Sequence, residues 1–180
     1  TLYRRMLSPY ERMWITAHNK SMDFIVEGDG ELKQEKVQEA VARVGAANPG
    51  CRLVLKGCLS ASYWAATGSL PQVRVVDGSH WSGYGPEGAP FIGTQLDPIR
   101  GPTVEVSLAP GSPARMVVRA HHAVMDGRAI ISFTRNIFSV LRGLQPDAEN
   151  ASLTDLELAR RLGGRTRKVK EACLNPFNTE

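Results

Sequence analysis

The sequence predicts an α/β domain, in detail an α+β two-layer sandwich with helices packed on one face of a mixed, largely antiparallel sheet. Three features predict it. Thr103 to Leu108 and Ala114 to His122 are apolar-rich runs joined by Ala109-Pro110-Gly111-Ser112-Pro113, and that nearness with a tight link reads as an antiparallel hairpin. From Glu31 to Ala47 the residues Val37, Ala40, Val41, Val44 and Ala47 recur at spacings of three and four, the stripe of an amphipathic helix. After Gly127, Ile130, Phe133, Ile137, Phe138 and Leu141 repeat that spacing and predict a second such helix to about Gly143.

The remaining elements follow in chain order. Ser8-Pro9-Tyr10-Glu11-Arg12 predicts a capped short helix, since serine caps well and proline is tolerated in the first turn. Met22 to Glu27 reads as a strand ended by Gly28-Asp29-Gly30. Asn48-Pro49-Gly50 stops the helix that began at Glu31, and strands are expected at Arg52 to Lys56 and Val73 to Val76. Between Asp77 and Gly101, glycines and prolines crowd a segment too irregular for either element, and loops of that length are often functional. Residues 1–145 are thus expected to form one lobe. Residues 146–180 read as a linker, a short helix from Leu153 to Leu162 with Ser152 and Asp155 in a capping arrangement, and a basic tail.

Composition limits the function classes. The net charge of +4 has one dense patch, Arg165, Arg167, Lys168 and Lys170, with no aromatic residues interleaved as a base-stacking surface requires, so nucleic acid is not an expected partner. Cys51, Cys58 and Cys173 form neither a CxxC pair nor an even disulfide set, which fits reduced thiols and a cytoplasmic location. No run approaches the length of a membrane span, and no phosphate-binding glycine loop occurs. Cys58 would be a nucleophile only with a histidine folded beside it.

The chemistry concentrates in His121-His122-Ala123-Val124-Met125-Asp126-Gly127, which holds two of the four histidines of the chain. Imidazole takes and returns protons near neutral pH without first being strongly perturbed. Alternation along the strand places His122 on the face of Met116, Val118 and Ala120, and His121 on that of Val117 and Arg119. The two histidines therefore divide: His122 projects from the end of the sheet, while His121 packs beneath and fixes the backbone. Asp126 is placed to hold the loop, and Gly127 is expected to adopt a conformation that a side chain would block. His80, with Trp81 and Tyr84, reads as an ordinary loop histidine that could line a channel, and His18 as a turn residue. Neither completes a metal-ligand set with the pair, so no metal is expected.

HHxxxDG is the signature of the CoA-dependent acyltransferase superfamily, and the chain resembles the N-terminal lobe of a condensation domain of nonribosomal peptide synthesis. The resemblance spans about residues 7 to 145. Leu7-Ser8-Pro9-Tyr10-Glu11-Arg12-Met13-Trp14 is similar to the opening segment of those domains, Asn48-Pro49-Gly50-Cys51-Arg52 to their His-Pro-x-Leu-Arg segment, and Leu96-Asp97-Pro98 with Gly101 to Val106 to the stretch before the histidines. Asn48 and Cys51 depart from the usual histidine and leucine.

The resemblance implies a chloramphenicol-acetyltransferase-like lobe and acyl transfer from a phosphopantetheine or CoA thioester to an amine or hydroxyl. His122 would be the general base or positioning group, Asp126 a structural residue paired with Arg52, and Gly127 a backbone N–H donor near the developing oxyanion. No bound cofactor is implied, because the thioester arrives activated. The implied partners are a second acyltransferase lobe, in the same longer chain or another subunit, and an acyl or peptidyl carrier protein or acyl-CoA. The alternative is a non-catalytic half-domain that docks a carrier or the partner lobe.

Overall fold

The computed structural model describes residues 3–17 and 20–148. In chain order it contains β1 (Arg4–Met6), α1 (Pro9–Thr16), β2 (Ser21–Gly28), α2 (Gln34–Ala47), β3 (Val54–Lys56), β4 (Tyr63–Ala65), β5 (Val73–Val75), β6 (Val104–Ala109), β7 (Ala114–His121) and α3 (Gly127–Leu141). A single 3-10 turn, Pro49–Arg52, closes α2, and another, Leu59–Ala61, precedes β4.

The principal sheet has the order β2-β7-β6-β5, antiparallel except for the parallel pair β5 and β6. Period-2 alternation divides its faces. Val104, Val106 and Leu108 of β6 join Met116, Val118 and Ala120 of β7 under Val37, Ala40, Val41 and Val44 of α2 and Ile130, Phe133 and Ile137 of α3 in one core. The predicted architecture, helices on one face of a mixed and mainly antiparallel sheet, is the observed one.

The other face is covered by the glycine- and proline-rich segment, in which Trp81 and Ala89 close over Val117 with Ile25, Phe91 and Ile92 alongside. Gly88 makes the tightest turn there: its φ is +76°, and a Cβ would lie 2.3 Å from the His80 carbonyl oxygen. This segment does structural duty as a second layer on that face.

Two elements lie outside the predicted set. β1 and β4 form, with β3, a second antiparallel sheet of order β1-β4-β3. The helix predicted from Glu31 begins at Gln34 instead, with Lys33 as an N-cap that makes no side-chain hydrogen bond. Its polar face is partly used: Gln34 donates to the Val73 carbonyl at 2.9 Å, and Gln38 accepts from the Val73 N–H at 2.8 Å, fastening β5. The helix expected at Leu153 to Leu162 lies outside the described residues.

Candidate active site

β7, an interior strand, carries the histidine pair to its C-terminal end, and its last residue is His121 rather than His122. His121 is fully buried on the side of Val117 and Arg119, as alternation requires. Its backbone N–H donates to Thr103, and its Nδ1 accepts the N–H of Ala123 at 3.2 Å, which draws the chain into the turn. Burial pushes the imidazole down to about 4, with Lys20 and His122 adding in the same direction against Asp97. His121 is thus neutral near pH 7, and its Nε2 is buried without a partner.

His122 lies one residue beyond the strand, with its backbone N–H donating to Lys20 at 2.6 Å. Its half-buried ring stacks face to face on the indole of Trp14 from α1, with centroids 3.8 Å apart and planes 5° from parallel. Nδ1 is buried and unpartnered.

Asp126 is exposed and is the N-cap of α3, with Oδ1 accepting the Ala129 N–H at 2.8 Å. The expected Arg52–Asp126 ion pair is not formed. The carboxylate is turned to the free donors of its own helix, and Nε of Arg52 is buried with no partner. Gly127 also differs from expectation. It is the first helical residue, its φ is not in the left-handed region, and an added Cβ would meet nothing within 4 Å. The position demands no glycine for the fold.

Arg119, two residues before His121, is 1% exposed and fully engaged. Its Nε donates to Asp23 at 2.9 Å, and its Nη1 to the Phe91 carbonyl and to Thr94 Oγ1, each at 2.8 Å. Nη2 donates to the Thr94 carbonyl. Beside it a cleft of about 520 Å³ is lined by Lys20, Ser21, Asp23, Thr94, Gln95 and Arg119, and Ser21 stands opposite His121 in the ladder.

Elsewhere, His80 is exposed on its loop, and His18 lies outside the described residues. Cys51 is buried, its thiol pushed up to about 11 by burial, so it behaves as a small core residue. Cys58 is exposed, and among the described residues no hydrogen bond joins it to a histidine. No helix among the described residues is long and apolar enough to cross a membrane.

Solved structures decide the fold family. The chain superposes on the condensation domain of the Monacolin K polyketide synthase MokA with a TM-score of 0.72 at 15% identity, covering 98% of this chain and 43% of that one. It has the fold of one condensation-domain lobe. SgcC5 from Streptomyces globisporus matches with a TM-score of 0.72 at 19% identity over 93% of this chain and 44% of its own. The epimerization domain from the third module of tyrocidine synthetase B matches with a TM-score of 0.68 at 16% identity over all of this chain and 46% of its own. The condensation-like lobe therefore spans less than half the length of these proteins. No family model and no curated protein matches it in sequence.

Two residues of the condensation-like lobe escaped the sequence reading. Trp14 was legible only as part of an opening segment, and Arg119 only as one member of a strand. Their contacts join residues far apart in the chain, which no local period encodes.

Proposed function

We propose that this lobe takes part in acyl transfer from a pantetheine- or CoA-bound thioester to an amine or hydroxyl, with His122 as general base or positioning group. The observation that carries the reading is the split environment of the pair. His121 is buried and neutral, whereas His122 stands on the turn between β7 and α3, half-buried on an aromatic face, beside the free N–H groups that begin α3.

In this reading the acceptor attacks the thioester carbonyl while His122 takes its proton. The tetrahedral oxyanion accepts a hydrogen bond from the Gly127 N–H. Collapse breaks the C–S bond, and the proton passes from His122 to the departing thiolate, leaving an amide or ester and a free thiol. The activated thioester removes any need for a covalent enzyme intermediate. His121 and Asp126 hold the turn, one through Ala123 and the other through Ala129. The second lobe supplies the opposite wall of the site, and the donor is delivered by a carrier protein or as acyl-CoA.

The test supplies a second lobe, an acyl-pantetheine thioester and a panel of amines and alcohols, and compares the wild type with His122→Ala. Loss of general-base catalysis predicts a fall of about 10²- to 10⁴-fold in product formation. Unchanged turnover would overturn the assignment and favour a lobe that only docks its partners.

A further inference from the structure

We propose that Trp14 is the positioning residue for His122, its indole face fixing the plane of the imidazole and supporting the imidazolium that forms when the ring takes a proton. The inference rests on the acyl-transfer reading above.

A histidine that moves protons through one nitrogen is ordinarily oriented by a hydrogen bond at the other, and that bond selects its tautomer and its plane. Here Nδ1 of His122 is buried with no such partner. The ring is held instead by the parallel stack on Trp14, at 3.8 Å and 5°. A ring against a flat wall cannot turn about its own side-chain bond without collision, so the stack does the orienting that a carboxylate does elsewhere. An aromatic face also attracts a cation placed over it.

The construction of α1 points the same way. The helix buries none of its residues fully, yet it is tied down at several points. Ser8 and Glu11 form a reciprocal capping box, and both oxygens of Glu11 are also gripped by Arg5. Arg12 reaches across to the Leu59 carbonyl at 2.6 Å. Tyr10 sets its ring edge-on to Trp14, 6.1 Å away at 79°. Trp14 also packs against the small core of Leu7, Leu53, Trp64, Ala66 and Ala123. These contacts hold the short helix that carries the indole under His122.

The test has two arms. In NMR spectra of the 180-residue chain, the His122 ring protons should lie upfield of their free-histidine positions under the indole ring current. Trp14→Leu should return them while leaving the dispersed core resonances in place, and Trp14→Phe should move them part of the way. If Trp14→Leu does not fold, Trp14→Phe carries this arm alone. In the assay with a second lobe, Trp14→Leu should lower kcat roughly tenfold or more with little change in KM, and Trp14→Phe should recover most of it. In the His122→Ala background, Trp14→Leu should cost nothing further.

Ring protons indifferent to Trp14, or a kinetic loss that persists without His122, would overturn the proposal and leave the acyl-transfer reading intact. Full turnover by His122→Ala would overturn both.

Discussion

Replacing Arg119 by Met tests whether the layer opposite the helices is held by one side chain. The guanidinium is 1% exposed and serves Asp23, the Phe91 carbonyl, Thr94 Oγ1 and the Thr94 carbonyl, with Glu105 more distant at 3.4 Å. Methionine fills much of the volume and supplies no donor. The three neutral acceptors lose about 1 kcal/mol each, and the charge-assisted bond to Asp23 about 1.5–3 kcal/mol. Glu105 is not orphaned, because Arg74 still holds it at 2.7 Å. Relaxation and water entry offset part of the sum, so the expected loss is about 3–5 kcal/mol, the range for breaking a buried pair. In a domain of this size that lowers Tm by roughly 6–20 °C. Arg119→Lys keeps the charge without the planar fork and should fall between the two. The measurement is urea unfolding followed by circular dichroism and by tryptophan fluorescence, to which Trp81 on this face contributes together with Trp14 and Trp64. A loss under about 1 kcal/mol for Arg119→Met would refute the view that Arg119 fastens residues 91–94 to the sheet.

Three further predictions concern the turn. His121 is pushed down to about 4, so between pH 6.5 and about 4 the unfolded chain binds a proton that the folded chain refuses, and stability falls on acidification by up to about 1.4 kcal/mol per pH unit. That contribution is complete above pH 6.5. His121→Gln should flatten the dependence of the urea midpoint between pH 6.5 and 5, and an unaltered slope would assign it to another group. Asp126→Ala should cost about 1 kcal/mol as a lost cap, while Asp126→Asn keeps most of it, because a cap needs an oxygen and an ion pair needs a charge. A double-mutant cycle of Arg52 and Asp126 should give no coupling, and equal losses for Asn and Ala would restore the ion pair. Gly127→Ala should leave Tm unchanged or raise it, since the Cβ meets nothing within 4 Å, yet lower acyl transfer if the thioester approaches that backbone. Undiminished turnover would place the substrate elsewhere.

What the sequence made legible is what local period and local capping encode. The hairpin of β6 and β7 was readable from two apolar runs joined by a tight link, and the two long helices because burial of one face imposes spacings of three and four. β1 and β4 are three residues each, too short to show alternation, and exist because Arg4 to Met6 pairs with Tyr63 to Ala65. The parallel pairing of β5 to β6 depends on how residues 77–101 cross the sheet, a tertiary fact. In the site, the place of the histidine pair was legible, and so was the division between them. Asp126 was legible as a residue that holds the loop; that it does so as the N-cap of α3, and not through distant Arg52, is what the structure adds.

The same alternation explains why two adjacent imidazoles need not interfere. Charging both would set like charges on neighbouring residues, and His122 already weighs against a proton on His121. Burial settles that competition at His121. His121 lies under the sheet face in a place where its charged form is not solvated, so it stays neutral down to pH about 4. His122 lies outside the ladder against an aromatic face that suits a cation. The neutral His121 keeps its Nδ1 acceptor for the Ala123 N–H that shapes the turn. A histidine at 121 that could also ionise would loosen that bond each time it did.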